Sequence, residues 1–311
     1  MSERVKVLIG PSSFAAQASA PLATLHAAGC EVVDNPYGRK LTPPELAELL
    51  ATGIEGIVAG LETLDRATLE RSTLRVISRC GSGMSNVDLD AARELGIAVY
   101  STPDAPTTAV AELTIGALLS LLRDLPAKDR AVREGRWDKK PGAQLAGRTV
   151  AVVGLGRIGR RVAQLLGAFG ARVIGVDPFC AAPPEGVELV DLDQALPVAD
   201  VVALHSSGAG LLLDAGRLAA MKEGAYLLNA GRGELVDEAA LLAALESGRL
   251  AGAWLDVFGR EPYAGPLTGC ERVLLTPHIG SYTVEGRINM EQEAADNLVR
   301  GLQSTARAHA A

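Results

Sequence analysis

The chain has 311 residues, of which 48% are hydrophobic and 4% aromatic, and its 30 basic and 37 acidic residues give a formal net charge of −7. This length suggests about two domains, and the mildly acidic balance without a Lys/Arg block argues against a nucleic-acid surface. The longest apolar run, 115–122, is far shorter than the ~20 residues that cross a bilayer, so we expect no membrane-spanning segment.

The N-terminal residues lack the apolar core of a signal peptide and predict a first strand instead. Only four histidines occur, and the four cysteines lie far apart, at Cys30, Cys80, Cys180 and Cys270. These spacings are typical of neither a zinc site nor a disulfide framework. We therefore expect a reducing, cytoplasmic compartment and no metal ion.

Short β-branched runs alternate with longer Ala/Leu-rich amphipathic stretches along the chain. This alternation predicts an α/β protein whose parallel strands are covered by helices on both faces. The predicted strands are 5–9, 56–59, 74–78, 98–100, 149–153, 172–176, 201–205, 226–229, 253–257 and 273–275. The main predicted helices are 44–51, 87–95, 109–125, 157–168, 238–247 and 284–303.

Two seams divide the chain, one in the Pro-rich segment 101–106 and one near 278–281. They predict one domain formed by 1–102 together with 281–311, because the last segment is too short to fold alone. The other predicted domain is 103–280.

A Gly-rich turn follows the predicted strand 149–153 and precedes a helical pattern. The motif is G-x-G-x-x-G, and its candidate cofactor-binding residues are Gly154, Gly156, Arg157, Ile158 and Gly159. Such a turn brings a pyrophosphate to the N-terminus of the helix. The next strand ends in Asp177, near the spacing of about 20 residues at which an acid binds a ribose 2′-hydroxyl. A carboxylate there repels a 2′-phosphate, so the motif predicts NAD rather than NADP.

Three polar segments follow later strands, at 229–233, 256–262 and 276–280. In an open parallel sheet, ligands bind beyond the carboxyl ends of the strands. We therefore expect these segments to lie where a nicotinamide ring binds.

The order of several motifs resembles the D-isomer-specific 2-hydroxyacid dehydrogenases, and within them the 3-phosphoglycerate dehydrogenase-like branch. The motifs are 78–88, 110–114, 154–159, 177–178, 221–237, 256–262 and 277–280. The resemblance implies two Rossmann-like, doubly wound parallel-sheet domains flanking a cleft. It also implies an NAD-dependent oxidoreductase that interconverts a D-2-hydroxy acid and its 2-keto acid by hydride transfer. The pair 3-phosphoglycerate and 3-phosphohydroxypyruvate is one candidate.

The same resemblance implies that Arg232, Glu261 and His278 are catalytic. The chemistry agrees, because imidazole is the side chain whose ordinary pKa suits proton transfer near neutrality. A hydrogen bond from the imidazole to Glu261 would favour the imidazolium and fix its tautomer. The guanidinium of Arg232 would bind the substrate carboxylate and polarise the keto oxygen.

Further site residues come from the resemblance alone. The additional cofactor-binding residues are His205, Ser206, Ala230, Gly231, Asp256, His278 and Gly280. The implied substrate-binding residues are Gly81, Ser82, Gly83, Arg232 and His278, with the glycine loop as a backbone cradle for a carboxylate.

Each of these side chains also has a simpler interpretation. Taken alone, Arg232 suits a surface cation, Glu261 an ordinary loop acid, and His278 a hydrogen-bonded histidine at a strand end. Asp256 could equally cap a turn, and Cys80 is interpreted as a packing residue. The three catalytic residues occurring together at the family's positions favour the catalytic interpretation.

Two departures from the family pattern concern the ligands. The loop 206–210 replaces a Pro-containing loop, which puts the cofactor contacts of His205 and Ser206 in doubt. Glu62 stands where members that oxidise phosphoglycerate tend to carry arginine. It is either a pocket acid that repels a phosphorylated substrate or a surface residue. If it repels phosphate, Arg79, or Lys139 and Lys140 from a dimer partner, could compensate.

The apolar helix 109–125 resembles the family's dimerisation helix and predicts a homodimer. We also expect no C-terminal regulatory extension like that of some phosphoglycerate dehydrogenases, and therefore no feedback by serine. The rival hypothesis is a non-catalytic NAD-binding sensor or co-regulator on the same fold. A formate-type dehydrogenase is disfavoured, because Glu261 stands where those enzymes have glutamine.

Overall fold

The protein is described by a computed structural model that covers residues 4–81, 83–84, 86–137, 139–208 and 210–309. The chain divides into two compact units, and the first is discontinuous: it contains Met1–Pro106 and Tyr282–Ala311. The second unit is Thr107–Ser281. The sequence placed these boundaries at 102/103 and 280/281, within four residues of those in the structure.

The first unit is built on a five-stranded parallel sheet of order β2-β1-β3-β4-β5. Its strands are β1 (Lys6–Ile9), β2 (Glu31–Asp34), β3 (Gly56–Ala59), β4 (Val76–Arg79) and β5 (Ala98–Ser101). Its helices are α1 (Ala20–Ala27), α2 (Pro43–Leu50), α3 (Arg66–Glu70), α4 (Leu89–Glu94) and α11 (Val284–His309).

Helices cover both faces of this sheet. Every residue of β3 is buried, which explains its uninterrupted apolar sequence. On one face Leu8 and Ile57 pack with residues of α2 and α4. On the other face Val7 and Val76 pack against Leu298 of α11. The C-terminal helix therefore completes the core of the N-terminal segment.

The second unit is built on a seven-stranded parallel sheet of order β12-β11-β10-β9-β6-β7-β8. Its strands are β6 (Thr149–Val153), β7 (Arg172–Val176), β8 (Glu188–Leu189), β9 (Val201–Leu204), β10 (Ala225–Asn229), β11 (Leu250–Leu255) and β12 (Val273–Leu275). Its α-helices are α5 (Thr107–Arg123), α6 (Leu125–Arg133), α7 (Arg157–Ala168), α8 (Leu192–Ala195), α9 (Ala215–Ala220) and α10 (Glu238–Glu246), with short 3-10 helices at Gly233–Leu235 and Pro266–Gly269.

The central strand β6 is buried between two apolar layers. Val150 and Val152 face α5 and α7, while Ala151 and Val153 face the layer that contains α10. The parallel strands therefore end at one shared edge, which carries the loops after β6, β9, β10, β11 and β12. The α/β class with parallel sheets, predicted from the sequence, is confirmed.

The predicted helix 109–125 is wrong in its C-terminal part. The helix ends at Arg123, Asp124 adopts a left-handed conformation with φ of 51°, and α6 begins at Leu125. Pro126 causes the break, because it has no amide hydrogen for the carbonyl of Leu122. That carbonyl accepts a hydrogen bond from the amide of Ala143 instead, at 2.8 Å.

The sequence missed two edge strands, β2 and β8, and several short helices. Both strands are short and expose acidic residues, so they show neither a buried run nor a clear alternation. The helix α3 is held by a cap instead of an apolar stripe, since the Asp65 carboxylate accepts the amide of Thr68.

In the described part of the chain, no helix has both the length and the apolar character needed to cross a lipid bilayer. The His, Cys, Asp and Glu side chains of the same residues form no group of three that could bind a metal ion.

Candidate active site

The Gly-rich turn joins β6 to α7, as the sequence predicted. Gly154 has φ of 90°, and a Cβ there would lie 2.7 Å from the amide nitrogen of Ser206. A Cβ on Gly159 would overlap the carbonyl oxygen of Gly154. Only glycine therefore fits these two positions, one because of its conformation and one because the helix starts directly against the turn.

Gly156 differs from its neighbours in the motif. It is the N-cap residue of α7, it is exposed, and a Cβ added to it would meet no atom within 4 Å. The fold alone does not require glycine at this position. Open space beside an uncapped helix N-terminus suits a diphosphate, which the first-turn amide groups can bind. Arg157 is exposed and Ile158 half-buried in the same turn.

Asp177 follows β7 and joins it to the Gly-rich turn. Its Oδ2 accepts the amide of Leu155 at 2.8 Å, and its Oδ1 accepts the amide of Phe179 at 2.9 Å. Each carboxylate oxygen keeps a second lone pair for another donor. The residue is half-buried, so the arrangement fits an acid that binds the hydroxyls of a ribose.

Ser206 lies between two glycines at the carboxyl edge of the sheet. Besides its approach to Gly154, its carbonyl oxygen would lie 2.6 Å from a Cβ on Gly231. Its Oγ accepts the amide of Gly208 at 3.1 Å. The loops after β6, β9 and β10 therefore pack backbone against backbone, and this places Ser206 beside the predicted cofactor-binding turn.

The imidazole of His205 is enclosed. The residue as a whole is half-buried, but both ring nitrogens are inaccessible to solvent and have no hydrogen-bond partner within the described part of the chain. Removal from water lowers the pKa of His205 from its ordinary 6.5 to about 4. The cofactor contact of His205 stays a prediction.

Arg232 follows β10 in a loop that is shaped by Asn229. The Asn229 Oδ1 accepts the amide of Gly231 at 3.0 Å, and its Nδ2 donates to the carbonyl of Arg232 at 2.9 Å. The guanidinium of Arg232 is half-buried and donates through Nη1 to the carbonyl of Gly231 at 2.7 Å. Ala230, half-buried, lies in the same turn. Within the part of the chain that the structure describes, the guanidinium makes no other hydrogen bond, so its other N–H groups can bind an anion.

The loop after β10 contacts the loop after β11. A Cβ on Gly233 would overlap the carbonyl group of Phe258, so the two backbones touch. The amide of Phe258 donates to Oε1 of Glu261 at 3.1 Å, and the ring of Phe258 stacks on Tyr263 with centroids 4.4 Å apart. These contacts hold the Glu261 carboxylate in a loop that packs against the loop of Arg232.

His278 and Glu261 form the predicted pair. The Nδ1 of His278 lies 2.8 Å from Oε2 of Glu261, and the imidazole is more than half exposed. His278 has a left-handed backbone with φ of 54°, which is unfavourable for a residue with a side chain. The loop therefore needs contacts that hold this conformation.

Asp256 supplies those contacts. Its Oδ1 accepts the amide of Ile279 at 2.9 Å and the hydroxyl of Thr276 at 2.6 Å, and its Oδ2 accepts the amide of Gly280 at 2.7 Å. The side chain is buried, with 2% exposed. The turn-capping interpretation of Asp256 is thus realised, and its contact with a nicotinamide stays a prediction.

In the first unit, the predicted carboxylate cradle needs a correction. Gly81 has φ of 138°, but its amide donates to Oγ1 of Thr102 at 2.7 Å, so it is not available to a substrate carboxylate. Ser82 lies outside the described residues. The role of Gly83 stays a prediction.

Glu62 is neither a surface residue nor an exposed pocket acid. Its side chain is 1% exposed, and its Oε2 accepts the amide of Gly60. The carboxylate fits between Gly10 and Gly60, where a Cβ on Gly10 would lie 2.8 Å from it. The interpretation of Glu62 as a surface residue is therefore wrong, because two glycines after β1 and β3 leave room for it inside.

The sequence placed Asn229 and Thr276 in the polar segments that follow strands, but it predicted no role for them in shaping the site. Asn229 and Thr276 are polar side chains at strand ends, and Trp254 donates through Nε1 to Oγ1 of Thr276 at 2.9 Å. A buried polar residue at the end of an apolar strand was the available signal. The partner of such a residue depends on the order of strands in the sheet, which a motif does not reveal.

Comparison with known proteins identifies the family. Residues 115–280 match the model of the "D-isomer specific 2-hydroxyacid dehydrogenase, NAD binding domain". The chain belongs to the D-isomer specific 2-hydroxyacid dehydrogenases, and its second unit contains their NAD-binding domain. The family predicted from the motifs is confirmed, and so is NAD as the cofactor that the glycine turn and Asp177 fit.

Among curated relatives, the D-3-phosphoglycerate dehydrogenase of Rattus norvegicus is 40% identical over 236 residues, covering 73% of this chain and 44% of that protein. The D-3-phosphoglycerate dehydrogenase of Methanocaldococcus jannaschii is 38% identical over 270 residues, covering 83% and 51%. The chain spans about half the length of these relatives.

Solved structures match along the whole chain. The TT0316 protein from Thermus thermophilus has a TM-score of 0.88 at 35% identity, covering 96% of this chain and 97% of that one. A glyoxylate reductase from Paecilomyes thermophila has a TM-score of 0.85 at 32% identity, covering 96% and 95%. The fold is therefore that of the family throughout.

Gly156→Ala tests the cofactor assignment. The added methyl group enters open space, so we expect no loss of stability, but it would occupy the place of the pyrophosphate. We expect the Kd for NADH, measured by fluorescence titration, to rise about tenfold or more. Gly167→Ala is the matched control, since its Cβ also meets no atom within 4 Å on the same helix. Equal Kd values in both variants and the wild type would contradict the assignment.

The enclosed imidazole of His205 predicts a pH dependence of stability. Its folded-state pKa of about 4 lies below the ordinary 6.5, so on acidification the unfolded chain takes up the proton first. His205 therefore lowers the unfolding free energy as the pH falls from about 6.5 to about 4, by up to about 1.4 kcal/mol per pH unit, and has no effect above this window.

Urea unfolding followed by tryptophan fluorescence measures this, because Trp137 and Trp254 both lie in the second unit. In His205→Leu, the unfolding free energy should decline less steeply as the pH falls. His26→Leu, which alters an exposed histidine of the first unit, should leave it unchanged. Parallel curves for wild type and His205→Leu would show that folding does not lower the pKa of His205.

Proposed function

We propose that the protein is an NAD-dependent oxidoreductase that interconverts a D-2-hydroxy acid and its 2-keto acid. The observation that carries the proposal is the bond between His278 and Glu261 at the carboxyl edge of the NAD-binding unit. Reduction of a keto acid requires a hydride, which bound NADH supplies, and a proton for the alkoxide oxygen. The chain's own residues must deliver that proton and hold the substrate.

His278 is proposed as the proton donor through Nε2. Its Nδ1 is engaged by Glu261, so Nε2 is the ring nitrogen that can face a substrate oxygen. Glu261 is held in turn by the amide of Phe258 and stabilises the positive charge on the ring before the proton leaves. In the oxidation direction the same nitrogen accepts the proton from the hydroxyl group.

Arg232 is proposed to bind the substrate. One N–H group of its guanidinium is committed to Gly231, which fixes the orientation of the planar group. The others form a fork that suits a carboxylate and the neighbouring keto oxygen, and their charge polarises the carbonyl.

The substrate range is proposed from the relatives and from Glu62. Curated relatives are named D-3-phosphoglycerate dehydrogenase, and a structural relative is named glyoxylate reductase. We propose unphosphorylated 2-keto acids as well as 3-phosphohydroxypyruvate as candidates. Position 62 has a buried glutamate where phosphoglycerate-oxidising members tend to carry arginine, so it supplies no cation for a phosphate, and this supports the small unphosphorylated acids.

NADH oxidation with a panel of keto acids tests the proposal. We expect turnover with at least one of glyoxylate, hydroxypyruvate, pyruvate, 2-oxoglutarate and 3-phosphohydroxypyruvate, and none with hydroxyacetone, which lacks the carboxylate of hydroxypyruvate. His278→Ala should lower kcat by about 10²–10⁴-fold while NADH still binds. His26→Ala, an exposed histidine, is the control.

The outcomes separate the two hypotheses. NADH binding without turnover of any 2-keto acid would favour a non-catalytic sensor or co-regulator. Turnover that is unchanged in His278→Ala would contradict the assignment of the proton donor. A strong preference for 3-phosphohydroxypyruvate would place the protein with the phosphoglycerate dehydrogenases in spite of Glu62.

A homodimer is also proposed, on different grounds from those the sequence suggested. The apolar side of α5 packs inside the second unit, where Ile115 and Leu118 contact residues of α7. The support comes from the stretch after it, where Leu125, Val132 and Trp137 are 51%, 55% and 77% exposed. Large apolar side chains exposed together mark an interaction surface.

A cytoplasmic location is proposed because all four cysteines are free.

Light scattering at micromolar concentration tests the assembly. We expect twice the mass of one chain for the wild type and a monomer for the double variant Leu125→Glu and Val132→Glu, because charges there oppose burial. Val198→Glu, at an exposed valine elsewhere in the second unit, should remain dimeric. A monomeric wild type would end the proposal.

A further inference from the structure

A chain of three hydrogen-bonded side chains runs from the core of the second unit to the loop that carries His278. Trp254, on β11, is fully buried and donates through Nε1 to Oγ1 of Thr276 at 2.9 Å. Thr276 follows β12, and its Oγ1 lies 2.6 Å from Oδ1 of Asp256. Asp256 in turn accepts the amides of Ile279 and Gly280.

The indole of Trp254 sets the direction in which each of these side chains donates its hydrogen bond. An indole nitrogen can only donate, so Oγ1 of Thr276 must accept from Trp254. The single hydroxyl hydrogen of Thr276 is then left for the Asp256 carboxylate. The distance of 2.6 Å agrees with a hydroxyl donating to an ionised carboxylate, because such bonds are about 2.5–2.7 Å long.

The consequence is that three donors of the protein hold Asp256, two on Oδ1 and one on Oδ2. It receives the Thr276 hydroxyl and two backbone amides while only 2% of it is exposed. A buried carboxylate is stable only when it is well hydrogen-bonded, so each of these donors matters. The two amides belong to the residues that directly follow His278, and they fix the backbone on its C-terminal side.

Thr276 also acts on the other side of His278. Its carbonyl accepts the amide of His278 at 2.9 Å across Pro277. His278 keeps its left-handed conformation, φ of 54°, between these two sets of contacts. Such a conformation persists in a residue with a side chain only when its surroundings impose it.

We propose that Thr276, oriented by Trp254, is a positioning residue for His278. Its hydroxyl keeps Asp256 paired and the loop 276–280 in the conformation that presents the imidazole to Glu261. The proposal rests on the proposed function, since its effect on rate requires that His278 transfer the proton. It assigns to Thr276 no contact with substrate or cofactor.

The central variant is Thr276→Val, which removes the hydroxyl and preserves the shape of the side chain. We expect kcat for 2-keto acid reduction to fall about 10- to 100-fold, because a misplaced catalytic group costs about that much. The Kd for NADH and the KM for the keto acid should change little. Thr276→Ser, which retains a hydroxyl, should recover most of the rate.

Two further variants complete the design. Thr268→Val is the matched control, because Thr268 is exposed and its hydroxyl only donates to the carbonyl of Gly265. Trp254→Phe removes the indole donor and leaves the threonine, so it should lower kcat less than Thr276→Val does. Trp254→Phe also tests the proposal if Thr276→Val does not fold.

A spectroscopic signal is independent of turnover. The chain has two tryptophans, one fully buried at 254 and one 77% exposed at 137, so an indole ¹⁵N spectrum shows two resolved environments. Thr276→Val should shift the Trp254 signal alone, and Thr276→Ser should restore it.

The proposal is overturned if Thr276→Val retains the wild-type kcat, or if Thr276→Ser is as slow as Thr276→Val. It is also overturned if Thr276→Val weakens NADH binding with no separate change in kcat, since that is the result of a structural role alone. A wild type without turnover would instead defeat the proposed function, while the indole signal would still report whether the hydrogen bonds exist.

Discussion

Loops that follow neighbouring parallel strands must pack backbone against backbone at the edge of the sheet, and the site of the second unit depends on this constraint. The chain meets it with glycines whose missing Cβ makes room for a neighbouring loop. Gly154 and Gly231 admit Ser206, and Gly233 admits Phe258. A side chain at any of these positions would push two loops apart. The charged residues one or two positions away, Arg232 among them, would then move with them.

Buried polar groups at strand ends do the complementary task of fixing those loops. Asn229 binds both sides of the turn that leads to Arg232, and Asp256 binds the amides that follow His278. Because these groups are buried and hydrogen-bonded within the protein, they serve as fixed supports. The exposed imidazole of His278 and the half-buried guanidinium of Arg232 remain accessible to ligands. The fold thus separates residues that hold the site from residues that would act in it.

The sequence predicted the parts of the fold that have a local cause. Strand β6, the glycine turn, α7 and Asp177 follow one another within one supersecondary unit, so each supports the assignment of the next. Edge strands such as β2 have no comparable local signal, because half of their hydrogen bonds face solvent and their sequences carry acids. The helix that begins at Thr107 illustrates a different case. Its apolar residues are visible in the sequence, but whether they face α7 or another molecule depends on packing.

For the site itself, the sequence by itself determined the residue types, the family and the cofactor, because catalytic motifs fix chemistry at short range. It also predicted that Glu261 and His278 lie in loops after strands. The sheet order makes those strands, β11 and β12, neighbours. Only the tertiary structure decided what each polar group is bonded to. It gave the amide of Gly81 to Thr102, buried Glu62 between two glycines, and linked Asp256 to Thr276 and Trp254. Those partners come from segments far apart in the chain, and hydrogen bonds depend on distances of a few tenths of an ångström that residue identity does not contain.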